Sequence, residues 1–132
     1  MANKKDNWYL ANIIEYALIK DKSTKKEIND NYYLYYENKH LIKAQNSSEA
    51  YKKANEIGKS GETRHENPDG EIVEWKFAGI AELVEIYNKL EDGEEIAYSE
   101  GYTKKVDNIK KKIPPKEKLG VFVWEKRNRK NQ

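Results

Sequence analysis

The chain reads as an α+β domain: an antiparallel sheet of four to six strands with one main helix packed on it, plus a C-terminal helix-strand extension. Three observations predict this. Two glycine-bearing turns, Asn67-Pro68-Asp69-Gly70 and Leu90-Glu91-Asp92-Gly93, lie between β-prone segments. One segment, Ser48 to Gly58, joins a capped start to an apolar stripe at helical spacing. Beyond Gly101 the sequence turns lysine-rich, with short apolar runs.

Trp8 to Lys20 alternates with apolar residues on both faces, which predicts a strand in a central position. Asp21 to Asn31 is a polar connection with a short helical turn expected around Lys25 to Ile28, and Tyr32 to Ala44 is the second strand. Asn46 or Ser47 can accept the free amide hydrogens of a helix start, and Glu49 suits its positive end. Ala50, Tyr51, Ala54 and Ile57 then form one stripe, which Gly58 or Gly61 terminates. Glu62 to Glu66 and Glu71 to Phe77 pair as a hairpin, because Pro68 presets the turn and Gly70 accepts positive φ. Gly79 is expected to bend or separate that strand from Ile80 to Asn88, whose apolar residues fit a strand or a helix equally. Glu94 to Ser99 is read as a further strand. Thr103 to Ile113 is read as a short helix stopped by Pro114-Pro115, and Leu119 to Trp124 as a final strand. Trp8 and Trp75 are the expected anchors of a thin, aromatic core.

A chain of 132 residues affords one core. Its net charge of +2 conceals an asymmetry: residues 1–103 hold 14 basic and 20 acidic side chains, and residues 104–132 hold 11 basic and 3 acidic. The division expected is therefore a body, 1–103, and a basic extension, 104–132, either part of the same domain or an oligomerisation arm. The absence of cysteine excludes disulfides, thiolate metal sites and a cysteine nucleophile. No signal-peptide pattern follows Met1, and the first apolar stretch is too short to span a bilayer, so a cytoplasmic protein without membrane contact is expected. The excess of lysine over arginine, 22 to 3, fits an AT-rich bacterial or phage gene.

His40 and His65 fall on different strands without ligand spacing, and read as ordinary sheet or surface histidines. Glu91, Asp92, Glu94 and Glu95 crowd one turn but lack the alternating oxygens of a calcium loop. No phosphate loop, nucleophile elbow or dinucleotide fingerprint occurs. The expectation is a protein that is not an enzyme and needs no metal or cofactor.

Tyr32, Tyr33, Tyr35 and Tyr36 form the densest aromatic cluster, and strand alternation puts them on both faces. They either pack across strands or offer flat rings for stacking. Trp124 stands beside Lys126, Arg127 and Arg129, an interfacial rather than a core composition. The expected ligand-binding residues are thus Tyr33, Tyr35, Trp124, Lys126, Arg127 and Arg129. The leading functional reading is a non-catalytic binding protein that engages a partner protein or sequesters a small anionic, nucleotide-like ligand. Nucleic-acid binding through the basic extension is the alternative, weakened by the acidic body. Apolar residues on both strand faces also predict a homo-oligomer, most simply a dimer.

Several landmarks also follow one another along the chain: Asn7-Trp8-Tyr9, Tyr36-Glu37-Asn38 leading to Leu41-Ile42-Lys43-Ala44, Ser48-Glu49-Ala50, and Asn67-Pro68-Asp69-Gly70-Glu71. Trp75-Lys76-Phe77-Ala78-Gly79-Ile80 and Leu90-Glu91-Asp92-Gly93-Glu94-Glu95-Ile96 complete the series. Their order resembles that of a bacterial family designated domain of unknown function 4288, over about residues 7 to 100. The resemblance implies a fold for the body, carries no activity, and leaves the basic extension outside it.

Overall fold

A 15-residue strand, β1 (Asn7–Asp21), forms the spine of the first unit. The structure is a computed structural model describing residues 6–130, so the reading of Met1 to Lys5 lies outside the described residues. The elements that follow are β2 (Tyr35–Ala44), α1 (Ser47–Ser60), β3 (Thr63–Glu66) and β4 (Glu71–Ile86). All pairings are antiparallel, in the order β2-β1-β4-β3. The central position expected for the first strand is the one observed, and the chain is α+β with a four-stranded antiparallel sheet.

The main helix is placed by its cap. Asn46 accepts from the Glu49 amide at 2.8 Å, and the Glu49 carboxylate reaches back to the Gln45 amide at 3.2 Å. One free amide of the first turn is thereby satisfied, a device worth about 1 kcal/mol, and the residue before the cap is tied back to that turn. Alanines then set the depth of packing. Ala50 and Ala54 on the helix and Ala11 and Ala44 on the sheet are fully buried, so α1 lies close over one sheet face, with Tyr9, Ile13 and Ile42 beneath it. Ile57, Phe77, Ile80 and Leu83 close the margins. Helix and sheet approach most tightly at Gly58, where an added Cβ would stand 2.3 Å from a ring carbon of Phe77.

Alternation along β1 sends Tyr9 rather than Trp8 to this face. Trp8 is 38 % exposed, with Lys43 over its ring at 5.6 Å, so the core is built from alanine and isoleucine around a single tyrosine and is not aromatic. Trp75, half-buried, stacks on Tyr36 with centroids 5.5 Å apart, beside the buried Ala17.

Gly79 does not divide the fourth strand. It sits within β4 at φ 150°, where the register to β1 slips twice and leaves Ala78 and Ala81 without partners. These are two bulges, which bend and twist a strand without ending it. The helical turn expected around Lys25 to Ile28 is also absent. Asp21 instead gathers the Ser23 and Thr24 amides at 2.9 and 2.8 Å, which holds its carboxyl below the ordinary range, and Glu27 returns to bridge Lys20.

The segment from Ile28 to Leu34 then runs along the free edge of the end of β1. Asn29, 8 % exposed, accepts from the Ile19 amide at 2.9 Å and donates to the carbonyls of Ala17 and Tyr32 at 3.1 and 3.2 Å. Its side chain fills a gap in the backbone ladder where the chain turns through the left-handed Asp30 and Asn31. The second strand consequently starts at Tyr35 rather than Tyr32.

Contacts divide the chain into two compact units, Met1–Tyr98 and Ser99–Gln132. Glu94 to Ser99, expected as a strand, has no regular structure, although the turn before it forms, with the Glu94 amide bonded to the Glu91 carbonyl at 3.1 Å. The second unit comprises α2 (Val106–Lys110), a 3-10 turn (Lys116–Lys118) and α3 (Gly120–Lys130). The helix expected over Thr103 to Ile113 is cut to its middle. The strand expected at Leu119 to Trp124 is helical: the Phe122 and Val123 amides bond to the Leu119 carbonyl at 3.0 and 3.1 Å. A run of six residues, four of them β-prone, cannot resist the helix formers that follow it, and Glu125 and Arg129, one turn apart, pair at 3.7 Å to support them. Among the described residues no helix is long and apolar enough to cross a membrane.

Candidate functional site

The single helix of the first unit packs on one face of the sheet, and register defines what the other face presents. Cross-strand partners share a face, so three residues from three strands stand in one row: Tyr35, Tyr16 and Lys76. Strand spacing puts the ends of the row about 10 Å apart. The adjacent row is Leu18, Glu74 and Arg64, and the next contains Lys20 and Ile72.

Tyr35 is 64 % exposed. Tyr33 meets Tyr16 edge to face, with centroids 6.4 Å apart at 74°, and its hydroxyl donates to Glu27. That bond to a carboxylate, seconded by burial, raises the Tyr33 phenol above its usual 10.0. Tyr33 is therefore held by the loop that Asn29 anchors, whereas the Tyr35 ring stands open to solvent.

Three cations stand in this row and the two beside it. Lys20 and Lys76 lie 3.3 Å from the Glu74 carboxylate, and the Arg64 guanidinium 3.9 Å from it. The lysine hydrogen bond from Lys20 lowers the Glu74 pKa from the usual 4.5, against a smaller opposing effect of partial burial, and Lys76 adds to the lowering. One carboxylate thus organises three positive side chains on the face that carries Tyr16 and Tyr35, while a second carboxylate, Glu27, is taken up by the Tyr33 hydroxyl. Because the folded Glu74 keeps its charge where an unfolded glutamate takes up a proton, its contribution is present above the ordinary pKa and lost as pH falls through its own. Between about pH 5 and pH 3, Glu74→Gln should lose less stability than the wild type, read as Tm at each pH. Equal losses would show that the cluster does not hold this charge.

Of the residues expected to bind ligand, Tyr33 and Tyr35 meet on this face. Trp124, Lys126, Arg127 and Arg129 are all exposed on α3, in the second unit. Helical spacing puts Trp124 with Arg127 on one side and Lys126 with Arg129 on another, so the four do not form one cluster. Tyr16, Lys20, Arg64 and Lys76 were not singled out from sequence, since only the pairing of distant strands makes them neighbours. His40 and His65 lie on β2 and β3, the opposite edges of the sheet. Among the described residues no group of three or more His, Asp or Glu side chains could hold a metal ion. A shallow groove of about 520 Å³ lies elsewhere, between β2 and α1, with Leu41, Ile42, Lys53 and Ile57 among its walls.

In comparison with known proteins, the family described as Domain of unknown function (DUF4288) matches residues 8–98, ending at the residue that closes the first unit. No curated protein and no solved structure matches the chain.

Proposed function

The chain belongs to the DUF4288 family, and on that premise we propose that its body is a non-catalytic binding module that holds a small anionic ligand with a planar ring. The observation that carries this reading is the row Tyr35, Tyr16 and Lys76 on the sheet face away from α1, flanked by Lys20 and Arg64. An exposed phenol offers a stacking surface, and the lysines and arginine supply charge for a phosphate or carboxylate.

Mononucleotides, adenosine and inorganic phosphate form the test set. A mononucleotide should raise Tm by several degrees at a hundredfold excess over its Kd, and adenosine and phosphate alone by less. Tyr35→Leu and Lys76→Gln, both folded, should each weaken nucleotide binding by about tenfold. If no member of the set moves Tm or perturbs the resonances of these residues at millimolar concentration, the reading fails.

The exposed Trp124, Lys126, Arg127 and Arg129 of α3 favour a second reading, nucleic-acid binding. Its signature is different. Affinity for mixed-sequence DNA or RNA would fall steeply with salt as phosphate counterions are released, whereas a stacked mononucleotide would show a shallow slope.

A further inference from the structure

The free edge of β2 points to a partner. Strand β2 lies at one border of the sheet, so half of its backbone groups face outward. The bond from the Ala17 amide to the Leu34 carbonyl, at 2.9 Å, sets which half. With the β1–β2 register it directs the amides and carbonyls of residues 36, 38, 40 and 42 toward β1, and those of Tyr35, Glu37, Lys39, Leu41 and Lys43 outward. One outward carbonyl is already taken, because Lys53 reaches from α1 and donates to Lys43 at 2.6 Å. The open stretch is therefore residues 35–41. It is apolar at both ends and charged in the middle, with Tyr35 64 % and Leu41 51 % exposed.

We infer that a second copy of this chain adds its own β2 to this edge, antiparallel, about a two-fold axis through Asn38. In that register Glu37 stands opposite Lys39 of the second copy, Lys39 opposite its Glu37, and each Tyr35 opposite a Leu41. Every outward pair is complementary, and about eight backbone hydrogen bonds close the seam. A shift of one step to centre the axis on Lys39 would set lysine against lysine, so charge selects the register. The other face agrees. Leu34, 55 % exposed, carries the side-chain direction of the even positions and comes opposite Ile42 of the second copy. Ile42 and Ile57 line the groove between β2 and α1, which offers that leucine an apolar seat. The pairing stops where Lys53 blocks the Lys43 carbonyl, so the open length of the edge and the length of the complementary segment coincide. The product is one eight-stranded antiparallel sheet with an isologous interface.

Sedimentation of the full-length protein at tens of micromolar tests this. The wild type should have the mass of a dimer. Lys39→Glu sets two glutamate pairs face to face and should weaken association by about a hundredfold, and Glu37→Lys should do the same with lysines. An equimolar mixture of these two variants restores both ion pairs and should regain the dimer, which also shows that each is folded. The single-chain double variant Glu37→Lys with Lys39→Glu should dimerise like the wild type. A monomeric wild type overturns the inference. So do single variants that remain dimeric, or a mixture of folded variants that stays monomeric.

Discussion

Gly58→Ala is expected to destabilise the protein by about 1–2 kcal/mol, although the same change in an ordinary helix is favourable by about 1 kcal/mol. The sign follows from a distance. Gly58 packs α1 onto the ring of Phe77, and a methyl group there would lie 2.3 to 2.8 Å from three of its carbons. No real contact is that short, so the ring must rotate away or the helix must lift. Phe77 is wedged at the margin of the core, and the helix is held down by fully buried Ala50 and Ala54. Either escape loosens packing, at the usual cost of overfilling a close-packed interior. Chemical denaturation measures the loss. A second background isolates its cause: in Phe77→Ala the obstacle is gone, and Gly58→Ala should then stabilise, by up to about 1 kcal/mol. A stabilising effect in the wild-type background would mean that helix and sheet do not approach so closely.

Asn29→Leu should cost about 2–4 kcal/mol, more than is usual for a loop residue. The side chain substitutes for the backbone of a missing strand, and its removal strands the Ile19 amide and the Ala17 carbonyl without partners. Leucine matches the volume, so the loss reads the hydrogen bonds rather than a cavity. Asn29→Asp separates the two halves of the bond set. It keeps an acceptor for Ile19 but turns a carboxylate toward the carbonyls of Ala17 and Tyr32, so its stability should improve as pH falls and the acid becomes a donor. Both variants also free the loop that holds Tyr33 against Tyr16, and Tyr33 should then titrate closer to an ordinary phenol in the ultraviolet spectrum.

Much of the body was legible because its signals are local. The apolar doubling of β1, the Asn46 cap with its alanine stripe, and the Pro68–Gly70 turn each specify an element within a few residues. The failures are of two physical kinds. Leu119 to Trp124 is a short run whose β-prone side chains fit a helix once Glu125 to Arg129 extend it, and no periodicity over so few residues could decide. Asn29 reads as one polar residue in a polar connection, since its value lies in the strand backbone it replaces beside Ala17 and Ile19. The candidate site is non-local in the same sense. Tyr16 and Lys76 stand sixty positions apart in sequence, and they become neighbours through a register that two bulges shift. Tyr33 and Tyr35 stand out in the sequence by the density of tyrosine around them, whereas Tyr16 and Lys76 do not.

Those bulges give β4 slack. Ala78 and Ala81 have no partner across the ladder, so removing either leaves every other β4 residue opposite its present neighbour on β1. A deletion elsewhere between Gly79 and Ile86 inverts only the residues between the missing position and the nearest bulge, which moves into line and absorbs the offset. Deletion of Ala78 or Ala81 should accordingly cost less stability than deletion of a paired residue such as Val84.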